Sequence, residues 1–185
     1  MSERFNPPRR DELDERGRGL YDTITQGPRG TSKQYFQLVL DDTSLAGPFG
    51  AMLLSPEIGD GLQKVGAALR FGGRLSPRLR EVIILKVAAR SGAKFEARAH
   101  GSIALDCGID QSEIDRIANG EAFGFEEELV LLLTLVDCLF DDGVVDDDEF
   151  AKLQEYFDEA IIFEAIVLIG YYRLLADVMN TFGIE

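Results

Sequence analysis

The stretch Ser76 to Ala89, SPRLREVIILKVAA, decides most about what this chain can become. Ser76 suits a helix N-cap, and Pro77 suits the first helical position, where its missing N–H costs nothing. The helix it opens, Pro77 to about Arg90, carries VIILKVAA, which is apolar nearly all round. A helix with no solvent face belongs in the middle of a bundle. The rest of the chain supplies partners for it. No sustained period-2 alternation bounded by turn residues occurs, whereas several 3.6-period runs carry good caps. The expected fold is therefore an all-α helical bundle. A length of 185 residues suits one domain with a full-sized core, spanning 1–185.

The other elements follow from their punctuation. Residues 1–9 read as a flexible arm with paired prolines. A charged helix is predicted over Asp11 to Thr25, stopped by the GPRG turn at Gly27 to Gly30. Ser44 to Leu54 can form a short helix interrupted near Gly47-Pro48. Ser55-Pro56 repeats the Ser-Pro start and opens a helix to about Arg70. Beyond Gly92 a helix holds KFEARAH and ends near Cys107, with Gly108 as a left-handed cap. Asp110 to Glu113 forms a capping box. Amphipathic segments follow at Glu126 to Phe140, Asp147 to Phe157 and Ile161 to Met179.

Charge narrows the partners. Acidic residues outnumber basic ones by 33 to 19, a formal charge of −14. Nucleic acid and anionic membranes both need a basic face, so neither is expected. An anionic substrate would need local arginines to overcome the overall field. The N-terminal stretch lacks the apolar core of a signal peptide, and no apolar run reaches the ~18–20 residues that span a bilayer. A cytoplasmic protein is expected. Its two cysteines, Cys107 and Cys138, stand far apart and read as small hydrophobes.

The one histidine, His100, lies in KFEARAH, four residues after Glu96. On a helix the two share a face. A carboxylate beside an imidazole favours the charged ring and fixes its orientation. The short Ser91 to Ala93 link brings the preceding helix alongside, and Glu81 stands near the start of that apolar helix. A buried glutamate must be protonated, paired or hydrogen-bonded. Glu81, Glu96 and His100 can therefore converge, with Arg80 and Arg98 flanking them. The alternative is an ordinary Glu–His pair on a helix surface, with Glu81 a cap or a partner of a nearby arginine.

The stretch LSPRLREVIILKVAARSGAKFEARAHGSIALDCGIDQSEIDRIANGE resembles the core motif of the carboxymuconolactone decarboxylase family, which shares the alkylhydroperoxidase D-like fold. Arg80, Glu81, Phe95, Glu96, His100, Ala104, Gly108, Ile109 and Ile114 fall on that motif without a gap. With the lead-in LAGPFGAMLLSPEIGDGLQKVGAALRF, the resemblance covers about residues 45–120. It implies a cofactor-independent, decarboxylase-type enzyme acting on a small carboxylated lactone or ring acid, assembled as a trimer or hexamer. His100 would donate the proton, Glu96 orient it and Glu81 support or relay. Arg80 or Arg98 would hold the substrate carboxylate.

The sequence departs from the peroxidase branch of that family, which carries a CxxC before the histidine. Those positions hold Ala93 and Glu96 here. Dithiol peroxide reduction needs one thiolate to attack and a second thiol to resolve the sulfenate. The tryptophan usual after the motif glutamate is Ala97. Two alternatives to the decarboxylase remain: a peroxidase-like role through Cys107 or Cys138 with an external thiol, and an oligomeric binding protein without chemistry. No metal is expected. The acidic turn LFDDGVVDDDEF would place Cys138 and Phe140 at the first two ligand positions of an EF-hand loop, where calcium needs oxygen.

Overall fold

Ser76 caps as its position predicts: its Oγ accepts the backbone N–H of Leu79 at 3.3 Å. A computed structural model of the chain, describing residues 4–185, places Pro77 at the head of a helix running Pro77–Ser91. Ten α-helices are found among the described residues, in chain order α1 Glu15–Gln26, α2 Pro28–Thr31, α3 Pro48–Met52, α4 Pro56–Phe71, α5 Pro77–Ser91, α6 Lys94–Asp106, α7 Gln111–Ala118, α8 Glu127–Asp141, α9 Asp147–Tyr156 and α10 Glu159–Phe182. No strand forms among these residues; Val39 and Leu45 meet only in an isolated bridge. The fold is all-α.

The chain divides into two compact units, Arg74–Ala176 and Met1–Gly73 with Asp177–Glu185. In the first, α5 is the central element. It packs along α6, α7 and α8, and every residue from Glu81 to Ala88 is buried. Val82 and Leu85 of α5 join Ala104, Ile109, Ile117, Leu129 and Leu133 in one apolar cluster. Burying a large aliphatic side chain stabilises by ~1.5–3 kcal/mol, so this cluster holds α5 at the centre of the unit.

Two charged clamps fix α5 at its ends. Arg78 donates to the Gly108 carbonyl at 2.6 Å and to Glu113 Oε1 at 2.7 Å, joining α5 to the capping box of α7. Near the other end, buried Lys86 meets Asp137 at 2.9 Å, and Arg90 bonds both Asp137 and Asp141 of α8. Gly92 turns the chain into α6 at φ 63°, and Gly108 ends α6 at φ 80°, both in the left-handed region that favours glycine.

In the other unit α1 and α4 pack together with α2 and α3. Here the sequence expectation shifts in detail. A 3₁₀ turn at Arg10–Glu12 precedes α1, which starts only at Glu15, because the Asp14 side chain accepts the Gly17 N–H at 2.7 Å. The GPRG stop is itself partly helical: Pro28 opens α2. Ser55 occupies the N-cap of α4 but makes no side-chain cap bond. Of the expected arm, residues 1–3 lie outside the described residues. Residues 4–9 form no helix, yet they are held, with the Phe5 ring 5.2 Å from that of Phe182.

Candidate active site

Glu81 stands one turn into α5, and the short link through Gly92 sets α6 beside it. Glu96 occupies the first turn of α6 and His100 the next. The three side chains meet. His100 Nδ1 lies 2.6 Å from Glu81 Oε2, and His100 Nε2 lies 3.3 Å from Glu96 Oε2. These residues are only 2%, 4% and 6% exposed for Glu81, Glu96 and His100. The alternative of a surface Glu–His pair does not describe this arrangement.

A fourth group completes the ring's surroundings. Tyr172 of α10 places its hydroxyl 3.2 Å from His100 Nε2, with the two rings edge to face at 5.1 Å between centroids. Sequence reasoning missed it. The signal available was the polar pair Tyr171-Tyr172 inside the apolar run of α10, since a buried phenol needs a hydrogen-bond partner. Nothing in the sequence says which partner, 72 residues earlier, it finds.

The flanking arginines separate. Arg80 is largely covered and sets its Nε 3.4 Å from Glu81 Oε1, on the oxygen that His100 does not use. Arg98 is exposed on α6. Glu81 thus bridges a guanidinium and an imidazole.

Burial of the ring works against its charge. The Glu81 charge and hydrogen bond, followed by the hydrogen bond and charge of Glu96, outweigh that and raise the His100 pKa from 6.5 to about 9. At neutral pH both ring nitrogens therefore carry hydrogen: Nδ1–H donates to Glu81, and Nε2–H is shared between Glu96 and the Tyr172 oxygen. No group of three or more metal-ligating side chains among the described residues is placed to hold an ion. Chemically, such a cluster can hold a proton on a buried imidazole.

Thiol chemistry has poor footing here. Ala93 is buried at the start of α6, and Glu96 puts a carboxylate where the second motif cysteine would stand. Cys107 and Cys138 form no disulfide and are half-buried. Burial, together with the charges of Glu149, Asp146, Asp142 and Asp137, pushes the Cys138 thiol up and disfavours its thiolate. A cleft of about 380 Å³ in the other unit, lined by Arg16, Thr23, Glu57 and Asp60 among others, contains none of the clustered residues.

The all-α architecture, with His100 in the second turn of α6, is that of the alkylhydroperoxidase D-like fold. Residues 56–132 match the model of the carboxymuconolactone decarboxylase family, and this span includes Glu81, Glu96 and His100. An uncharacterized peroxidase-related protein from Silicibacter sp. TM1040 superposes with a TM-score of 0.77 at 13% identity, covering 100% of this chain and 92% of its own. Another, described as an alkylhydroperoxidase AhpD core from Ralstonia eutropha JMP134, gives 0.77 at 16% identity, with 98% and 90% covered. The debrominase Bmp8, in a complex with 2,3,4-tribromopyrrole, gives 0.72 at 13% identity, with 97% and 89% covered. At such identities the likeness is one of fold. No curated protein matches the chain in sequence. No described helix is long and apolar enough to cross a membrane.

Proposed function

We propose that the protein is a cofactor-independent acid–base enzyme of the decarboxylase type, acting on a small carboxylated lactone or similar ring acid. The observation that carries this reading is the His100 ring, held between the buried carboxylates of Glu81 and Glu96. Losing CO₂ breaks one C–C bond and leaves its electron pair in a conjugated carbonyl as an enolate. The reaction then needs one proton on carbon, and a ring with a pKa near 9 is protonated and ready at neutral pH. Glu96 orients the ring from its own helix; Glu81 keeps it charged. Arg80, already paired with Glu81, and exposed Arg98 are the cations for the substrate carboxylate.

The enzyme acts in the cytoplasm as a homo-oligomer in this reading. The α10 surface supports assembly: Phe163 is 66% exposed, and Ile166 and Leu174 lie exposed at helical spacing beyond it.

The test is CO₂ release from a panel of small cyclic acids. His100→Ala should lower the rate by ~10²–10⁴-fold while the protein still folds and assembles, the usual cost of removing a positioned acid. Glu96→Gln should lose less. Equal rates in wild type and both variants would remove the catalytic role of His100, and no turnover of any acid would leave the binding-protein reading.

A peroxidase is the second reading, favoured by the description of two structural relatives as peroxidase-related. It would have to draw its thiol from Cys107 or Cys138.

A further inference from the structure

Three groups hydrogen-bond to the His100 ring: Glu81 at Nδ1, and Glu96 and Tyr172 at Nε2. They differ in what they can pass on. Glu81 and Glu96 are almost closed to solvent, at 2% and 4% exposure, and His100 itself is only 6% exposed. Arg80 reaches Glu81 from outside, but a guanidinium stays protonated and hands on no proton. Tyr172 is half-buried, and its oxygen both accepts and donates. While Nε2–H donates to that oxygen, the phenol hydrogen is directed at another acceptor. The edge-to-face contact at 89° keeps the phenol in place for this.

We propose that Tyr172 is the relay through which His100 exchanges its Nε2 proton with everything outside the cluster, solvent and reacting carbon alike. The second half of that statement rests on the reading of His100 as the catalytic acid. At the enolate, the phenol O–H bond breaks as the new C–H bond forms. The Nε2 proton moves to the phenolate oxygen, restoring the phenol and leaving a neutral imidazole. A proton from a water molecule, relayed by the same phenol, recharges the ring and leaves hydroxide to the bulk. Tyr172 is then a catalytic residue, and His100 the reservoir behind it.

The chain has one histidine, so the imidazole N–H signals of ¹⁵N-labelled protein belong to one ring without assignment. Tyr172→Phe removes the hydroxyl and keeps the ring contact. Solvent exchange of the His100 Nε2 hydrogen should slow tenfold or more in this variant. In the turnover assay kcat should fall ~10²–10⁴-fold with KM changed far less, the behaviour of a lost proton donor. Exchange that is unchanged or faster would overturn the relay, since a tyrosine that only shields the ring would give that result. Should Tyr172→Phe fail to fold, 3-fluorotyrosine placed at position 172 serves instead: both rates must shift with the acidity of the phenol, and rates indifferent to it would overturn the proposal. The exchange measurement needs no substrate. Slowed exchange with no turnover of any acid keeps the relay and removes the decarboxylase; turnover untouched by Tyr172→Phe with unchanged exchange does the reverse.

Discussion

Glu81 and His100 come from different helices, 19 residues apart, and approach to 2.6 Å in a site almost closed to water. The contact makes the state of one side chain a condition for the other. A glutamate this deep stays ionised only when paired or hydrogen-bonded, and an imidazole this deep keeps its charge only beside an anion.

Stability should fall as pH rises through the alkaline range. The folded pKa of His100, about 9, lies above the unfolded value of 6.5, so its contribution is complete below about 6.5 and lost by the time pH passes 9. The ring faces Glu81, Glu96 and Tyr172, with Arg80 behind Glu81. From a shift of this size the change is on the order of 3 kcal/mol. Urea unfolding at pH 6 and pH 9.5 should show that loss in wild type and not in His100→Asn.

Glu81→Gln should lower the His100 pKa more than Glu96→Gln does. Glu81 has the shorter contact and the larger effect on the ring, and without it burial is left to act against the charge. The single-histidine NMR titration reads both variants directly. Equal shifts, or a larger one for Glu96→Gln, would contradict this ordering.

Changing Cys107 and Cys138 together to Ser should leave turnover within about twofold of wild type, because the groups bonded to the His100 ring are Glu81, Glu96 and Tyr172, and burial disfavours the Cys138 thiolate. A large loss of activity with folding intact would return the peroxidase reading to first place. Alkylation of Cys138 at pH 7 should be slow compared with a free thiol.

Sedimentation should give a species larger than the 20.5 kDa chain across micromolar concentrations. Phe163→Glu with Leu174→Glu should shift the protein toward the monomer, since both are exposed apolar positions on α10. A wild-type monomer at all concentrations would rule assembly out.

Much of the site was legible because it is local. Glu96 and His100 share a helix face by spacing, and a link as short as Ser91 to Ala93 leaves α6 little choice but to return beside Glu81. Helix ends were read best where two signals agreed, as at Ser76-Pro77 and the Asp110–Glu113 box. Where one signal stood alone it erred: Asp11 looked like a helix start, but Asp14 had the side-chain bond. The depth of the Glu–His pair was not legible, because i,i+4 spacing is the same on a wet face and a dry one. Tyr172 was hidden for a related reason. Its partner is set by how α10 lies against α6, which periodicity along α10 cannot specify.

Arg80, Glu81, Glu96 and His100 form a quartet of two cations and two carboxylates, electrically balanced in a chain whose formal charge is −14. An approaching anion meets no local excess of its own sign there. When one proton leaves the ring, two carboxylates face a single guanidinium, and the imbalance draws the next proton inward. The same charge balance that quiets the site toward anions thus also makes it a local sink for a returning proton.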